Sequence, residues 1–292
     1  MKPATVSRRD NVEEFKQTIR ICSNDKLLHS RMDIMKQRTK LYEPDEIVKT
    51  NADYKKGQCK IYLTSKTVIT VAKELSSSGA TTVLSFGSAT NPGGGVTYGS
   101  KAQEECICRS TPLYVALNQK KFLEKFYMAH KLSKNALYSD RMIYVPDVPV
   151  LKSDVPIWDP KKKKGRLYSY APNERFYIDV ITACAPNLRA LKNISSNEIN
   201  ETIRNRIRRI IKISANKNVD SLILGAFGCG VFQNDPEIVA NIFNEILHEK
   251  DENGIELCDY FKTIVFAVRN NGKIESKNYE GFKKVFPEES YD

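Results

Sequence analysis

Three consecutive glycines, Gly93-Gly94-Gly95, are followed after seven residues by Gln103-Glu104-Glu105. Glycines in a row let the backbone take positive φ and approach a ligand closely. Two adjacent carboxylates then stand where a helix should begin. Neighbours on a helix point about 100° apart, so the glutamates suit two tasks rather than one. One can hold a substrate hydroxyl while the other transfers a proton. Burial and nearby negative charge raise a carboxyl pKa, whereas a helix N-terminus lowers it, and the sequence leaves open which prevails. A purely structural reading also exists: a turn, then glutamates that favour the helix dipole.

A second glycine-rich segment, Gly225-Ala226-Phe227-Gly228-Cys229-Gly230-Val231-Phe232, follows an apolar run. Backbone N–H groups in such a loop can cradle a phosphate or diphosphate, aided by the dipole of the next helix. The spacing is neither GxGxxG nor a Walker A loop. Phe227 and Phe232 could stack on a base or ribose, with one of the two expected simply to plug the core. Asn91, just before the glycine run, could hydrogen-bond ribose hydroxyls or serve as an Asn-Pro turn residue.

The elements that must position these residues alternate in type. Helical spacing runs through residues 10–40, and Lys60 to Thr64 reads as a strand. Thr67 to Leu75 reads as a helix ended by Ser76-Ser77-Ser78-Gly79, and Thr81 to Phe86 as a buried β-branched strand. A helix is expected from about Ala102 toward Lys125, broken near Pro112. Arg141 to Val145, Phe176 to Ala183, Val219 to Leu224 and Phe261 to Val268 read as further strands. Glu198 to Ala215 is amphipathic, and Asp235-Pro236 opens a helix to about Lys250, with Asp235 as N-cap. A short helix near Ser276 to Lys284 closes the pattern. Strands alternating with helices indicate a three-layer α/β fold, whose ligands sit at the strand ends.

Composition narrows the function classes. The 292 residues are 41% hydrophobic and 28% charged, enough for one sizeable core or two small ones. No apolar run of about 18 residues suggests a membrane span, and the N-terminus lacks a secretory pattern, so the chain is read as intracellular, cytoplasmic or nuclear. Seven cysteines form no CxxC pair and read as reduced thiols, and three separate histidines form no HExxH. No metal or other cofactor is therefore expected, and catalysis must rest on carboxylates, hydroxyls or backbone groups. The net charge of +11 favours acidic partners, nucleic acid among them, although no recognisable DNA- or RNA-binding motif is present. Lys161 to Lys164 reads as an exposed basic loop.

Taken together, GGGVTYGSKAQEE (93–105) and GAFGCGVFQNDP (225–236) resemble the microbial-type poly(ADP-ribose) glycohydrolase family. The resemblance is strongest over about residues 80–115 and 220–270. It implies a macrodomain-like α/β/α sandwich with a mixed central sheet: residues 1–58 form a helical accessory segment and 59–292 the core of a single domain. It further implies that Glu105 is the general acid and base, that Glu104 positions the distal ribose, and that Asn91 binds ribose. By the same resemblance, Gly93 to Gly95 line the catalytic loop, Gln103 belongs to the signature, and 225–232 hold the diphosphate. Phe266 would stack on adenine. The implied activity is hydrolysis of ribose–ribose glycosidic bonds in poly(ADP-ribose), releasing ADP-ribose and reversing ADP-ribosylation, as in the DNA-damage response. Two alternatives keep the same site: a mono-ADP-ribosyl hydrolase acting on modified protein or nucleic acid, and a non-catalytic ADP-ribose reader. The Lys161 to Lys164 loop and the polar tail from Arg269 lie outside the signature.

Overall fold

The β-branched runs assemble, in the computed structural model, into one seven-stranded sheet; the structure describes residues 6–288 except 162. Its strands are β1 (Lys40–Tyr42), β2 (Lys60–Thr64), β3 (Thr81–Phe86), β4 (Met142–Val150), β7 (Phe176–Ala183), β8 (Ser221–Leu224) and β9 (Thr263–Ala267), in spatial order β1-β4-β7-β3-β8-β9-β2. The β7, β3, β8, β9 and β2 strands run parallel, while β4 is antiparallel to both β7 and β1. The sheet is therefore mixed, as expected. A separate hairpin pairs β5 (Lys152–Asp159) with β6 (Lys164–Ser169).

Successive strand residues face opposite layers, which is why the strands read as continuous apolar runs. Leu84, Ile181, Leu222, Leu224, Ile264 and Phe266 point into one core cluster, and Val83, Val180, Ile223 and Val265 into the other. Helices α8 (Ser196–Ala215), α9 (Pro236–Leu247) and α10 (Lys273–Lys283) cover the first face. Helices α1 (Arg8–Asn24), α2 (Lys26–Arg38), α3 (Val68–Leu75), α4 (Gln103–Ser110) and α5 (Leu113–Leu117) cover the second. Their starts follow local chemistry: Ser7 and Asp10 form a capping box on α1, and Asp235 caps α9 ahead of Pro236.

The helix expected from about Ala102 toward Lys125 is broken near Pro112, as read: α4 stops at Ser110, where Thr111 turns extended, and α6 (Lys120–Phe122), a π-turn (Leu123–Met128) and α7 (Ala129–Ser133) follow. Two expectations need revision. Residues 40–42, inside the accessory segment, supply an edge strand to the main sheet. The basic loop is the tip of the hairpin: Lys164 already belongs to β6 and pairs with Asp10 of α1, pulling that carboxyl down to about 2, while Lys162 falls outside the described residues. All seven cysteines are free thiols.

Helix α1 braces the segment carrying the glutamates. Asn11 Nδ2 donates to the carbonyl of Gly99 at 3.1 Å, and the Thr18 hydroxyl donates to the carbonyl of Arg109. A Cβ at Gly99 would overlap the Arg8 carbonyl, so glycine permits this approach. The same helix receives the buried Lys152 ammonium, which donates to Glu14 Oε2 at 2.9 Å, Glu14 O at 2.8 Å and Gln17 Oε1 at 3.0 Å. Burial pulls the Lys152 pKa down, and Glu14 opposes that shift. Removing one partner of a buried pair strands the other, at a cost of roughly 3 kcal/mol. Glu14→Ala should thus lose about that much in urea unfolding. Lys152→Met should lose clearly less, because Glu14 is nearer the surface and can hydrate.

Candidate active site

The loops after β3 and β8 emerge at the same end of the sheet, because these strands are adjacent and parallel. Their pairing covers Thr81 to Val83 of β3; beyond it the strands part. Gln103 occupies the opening. Its Nε2 donates to Leu84 O at 2.7 Å and its Oε1 accepts from Phe86 N at 2.8 Å. The side-chain amide thus continues the ladder that β8 abandons, and it pins the first residue of α4 to the end of β3. Both polar ends of Gln103 are committed to β3, and this anchorage sets the position of the two glutamates that follow.

Glu104 and Glu105 follow in the first turn of α4, 2% and 7% exposed. They point to different partners, as helical geometry requires. Glu104 Oε2 accepts from the Ser88 amide at 2.7 Å, and Glu105 Oε1 accepts from the Gly95 amide at 2.8 Å. Glu104 Oε1 and Glu105 Oε2 are buried without a hydrogen-bond partner. One oxygen of each carboxyl is therefore fixed by a main-chain amide of the loop after β3, and the other is uncommitted. Burial pushes the Glu104 carboxyl well above the usual carboxylate range; the amides of Ser88 and Gly93 oppose this and the neighbouring Glu105 adds to it.

The glycine run is required by these contacts. Gly93 and Gly94 have φ of +65° and +58°. A Cβ at Gly94 would overlap Glu105 Oε1 and stand 3.1 Å from Glu104 Oε2. Asn91 is exposed at the rim; its carbonyl accepts from Gly94 N at 3.0 Å, which closes the turn, and its Nδ2 donates to Thr90 Oγ1 at 3.2 Å.

In the second loop, the amides of Gly228, Gly230, Val231 and Phe232 have no partner among the described residues. Free main-chain donors gathered in one loop suit an anion. The first turn of α9 is not available for this, since the Asp235 carboxylate takes the Glu237 and Ile238 amides. The helix dipole therefore contributes less than the sequence suggested. Gly228 has φ of +76°, and a Cβ there would lie 2.5 Å from Ala185 Cβ and from Asn234 Nδ2. Asn234, unremarked in the sequence, clamps the loop: buried, it donates to Pro186 O and Gly228 O, each at 2.9 Å. Phe227 plugs the core, its ring 6.0 Å from that of Phe86 at the end of β3, which ties the two loops together. Cys229 is buried, whereas Gly230, Val231 and Phe232 reach the surface. Phe232 stays half-buried, 6.1 Å from the Tyr138 ring.

Phe266 does not take the role assigned to it. It is 0% exposed and packed among Phe243, Phe282 and Phe286, stacking on the last at 4.1 Å. Alternation along β9 turns it into the core and leaves no face for a base.

A family model for the microbial-type PARG catalytic domain matches residues 11–153. Among solved structures, the chain is similar to poly(ADP-ribose) glycohydrolase from Thermomonospora curvata, at 27% identity and TM-score 0.80, covering 95% of this chain and 100% of that one. The same enzyme bound to the inhibitor ADP-HPD aligns at 28% identity and TM-score 0.77, covering 95% and 100%. The Deinococcus radiodurans enzyme in complex with ADP-ribose aligns at 32% identity and TM-score 0.70, covering 87% of this chain and 96% of that one. A comparison with curated proteins finds no match.

Three variants check this geometry. Gly94→Ala should fold with about 1–2 kcal/mol less stability, the cost of left-handed backbone at a non-glycine residue, and should lose at least about tenfold in turnover as Glu105 is displaced. Gly230→Ala, where a Cβ meets nothing within 4 Å, should keep wild-type stability. A carboxyl whose pKa is raised by folding stabilises fully below its unfolded value, and that contribution is lost as pH rises through the folded value. Glu104→Gln should accordingly gain in melting temperature over wild type at pH 8 and show little difference at pH 4.

Proposed function

This chain belongs to the microbial-type poly(ADP-ribose) glycohydrolase family, and on that premise we propose that it cleaves ribose–ribose glycosidic bonds in poly(ADP-ribose), with Glu105 as general acid and base. The observation that carries this reading is the state of the Glu105 carboxyl. It is buried, held by the Gly95 amide through one oxygen, and uncommitted at the other.

In the proposed reaction, the diphosphate of the terminal ADP-ribose lies against the free amides of Gly228, Gly230, Val231 and Phe232. Asn91 and Phe232 flank the sugar and base at the rim. Glu104, which points to a different main-chain amide from Glu105, accepts a hydrogen bond from a ribose hydroxyl. Glu105 in its acid form delivers a proton to the leaving ribose oxygen as the glycosidic bond breaks. The positive charge at the anomeric carbon is offset by the adjacent diphosphate. Glu105, now a carboxylate, takes a proton from the water that attacks that carbon, restoring the acid. No part of this sequence needs a metal or cofactor. Helix α1 serves the site indirectly, through its contacts with Gly99 and Arg109. No described helix is long and apolar enough to cross a membrane. The free thiols fit a reducing interior, which is where we place the activity.

General acid–base help is worth roughly 10²–10⁴-fold. Glu105→Gln should lose that much in ADP-ribose release from polymer, followed by chromatography, while calorimetry should still detect ADP-ribose binding. Release from singly modified protein, but not from polymer, would favour the mono-ADP-ribosyl hydrolase reading. Tight binding with no release by wild type would favour the reader.

A further inference from the structure

Far from Glu105, at the opposite end of the parallel strands, three metal-ligating side chains converge. His248 ends α9, and Glu256 and Cys258 stand just before β9. One ligand atom from each lies within 4.8 Å of the others. We propose that His248, Glu256 and Cys258 bind a zinc ion, with Cys59 completing the set.

Four features support this. Zinc bonds of about 2.0–2.3 Å set tetrahedral ligand atoms about 3.5 Å apart, so side-chain shifts of about 1 Å close the site. His248 Nδ1 lies 2.8 Å from the Asn244 carbonyl, which can only accept. Nδ1 therefore carries the proton and Nε2 keeps its lone pair, an arrangement that orients metal-binding histidines. The Cys258 thiol stands 3.9 Å from Glu256 Oε2. A carboxylate and a thiol already side by side suit a divalent ion.

The fourth feature is Cys59. Main-chain amides of Lys56 and Gly57 donate to Asp259 O at 2.7 and 3.2 Å, which fixes the segment before β2 against the turn holding Cys258. Both cysteines pack on the same core cluster. The mixed N, O and S donors select zinc over calcium or magnesium, which take oxygen ligands. Four protein ligands make a closed, structural site, tying α9, the residue 249–255 loop, β2 and β9 together. The sequence conceals it because the ligands follow no CxxC or HxxxH spacing. The site stands independently of the reaction at Glu105.

The test uses the full chain, stripped with chelator and titrated with Zn²⁺ or Co²⁺. One Zn²⁺ per chain is expected by elemental analysis, with an intense cobalt–thiolate absorption band. His248→Ala, at an exposed position that folding tolerates, should weaken Zn²⁺ at least tenfold, and Cys258→Ser should abolish the band. Added Zn²⁺ should raise the melting temperature of wild type but not of His248→Ala. A cobalt complex without the thiolate band, or equal zinc affinity in wild type and His248→Ala, overturns the site. A band unchanged in Cys59→Ser overturns the fourth ligand. Polymer hydrolysis should survive in His248→Ala, so failure of the metal site and failure of the proposed activity are read separately.

Discussion

The whole site depends on a side chain standing in for a strand. Where β8 leaves β3, the exposed backbone groups of Leu84 and Phe86 would otherwise need water or another strand. Gln103 supplies both a donor and an acceptor there. An amide can do this and a carboxylate cannot, because only the amide offers one donor and one acceptor across the right span. Once that residue is docked, helical geometry sends the next two side chains in fixed directions: Glu104 toward Ser88, and Glu105 toward Gly95.

The glutamates are costly to keep in place. Two carboxyls buried side by side, each with an unpartnered oxygen, are a destabilising arrangement for the empty protein. The loop offsets part of that cost with main-chain amides, and glycines make those amides reachable. On the proposed reading, a site imperfectly satisfied before substrate arrives has one carboxyl oxygen ready to accept from a hydroxyl and another ready to pass its proton to a leaving oxygen. On that reading, stability and chemistry are in tension at these two positions.

Much of the fold was legible because buried parallel strands and amphipathic helices leave strong periodic signals. Thr81 to Phe86 and Phe176 to Ala183 lie within their read bounds. The three-residue β1 was too short to register, and the hairpin strands escaped because β5 is polar, contains Pro156 and is largely solvated. Within the site, the glycine run and the glutamates were visible from residue type and spacing. Asn234 was not, since its work is a tertiary clamp on Gly228 that no local pattern announces. Phe266 was misread because an aromatic residue at a strand end looks the same in sequence whether it faces the cleft or the core. Its parity along β9, matching Ile264 rather than Val265, was the available clue.

Helix α1 grips the catalytic segment through carbonyl oxygens of Gly99 and Arg109, not through their side chains. A carbonyl is offered by every amino acid, so descent imposes almost nothing on the receiving partner at these points beyond the small size of Gly99. Drift can therefore rewrite most of the outer surface of this helix, provided Asn11, Glu14, Gln17 and Thr18 survive, and two lineages with unlike leading segments can preserve one reaction.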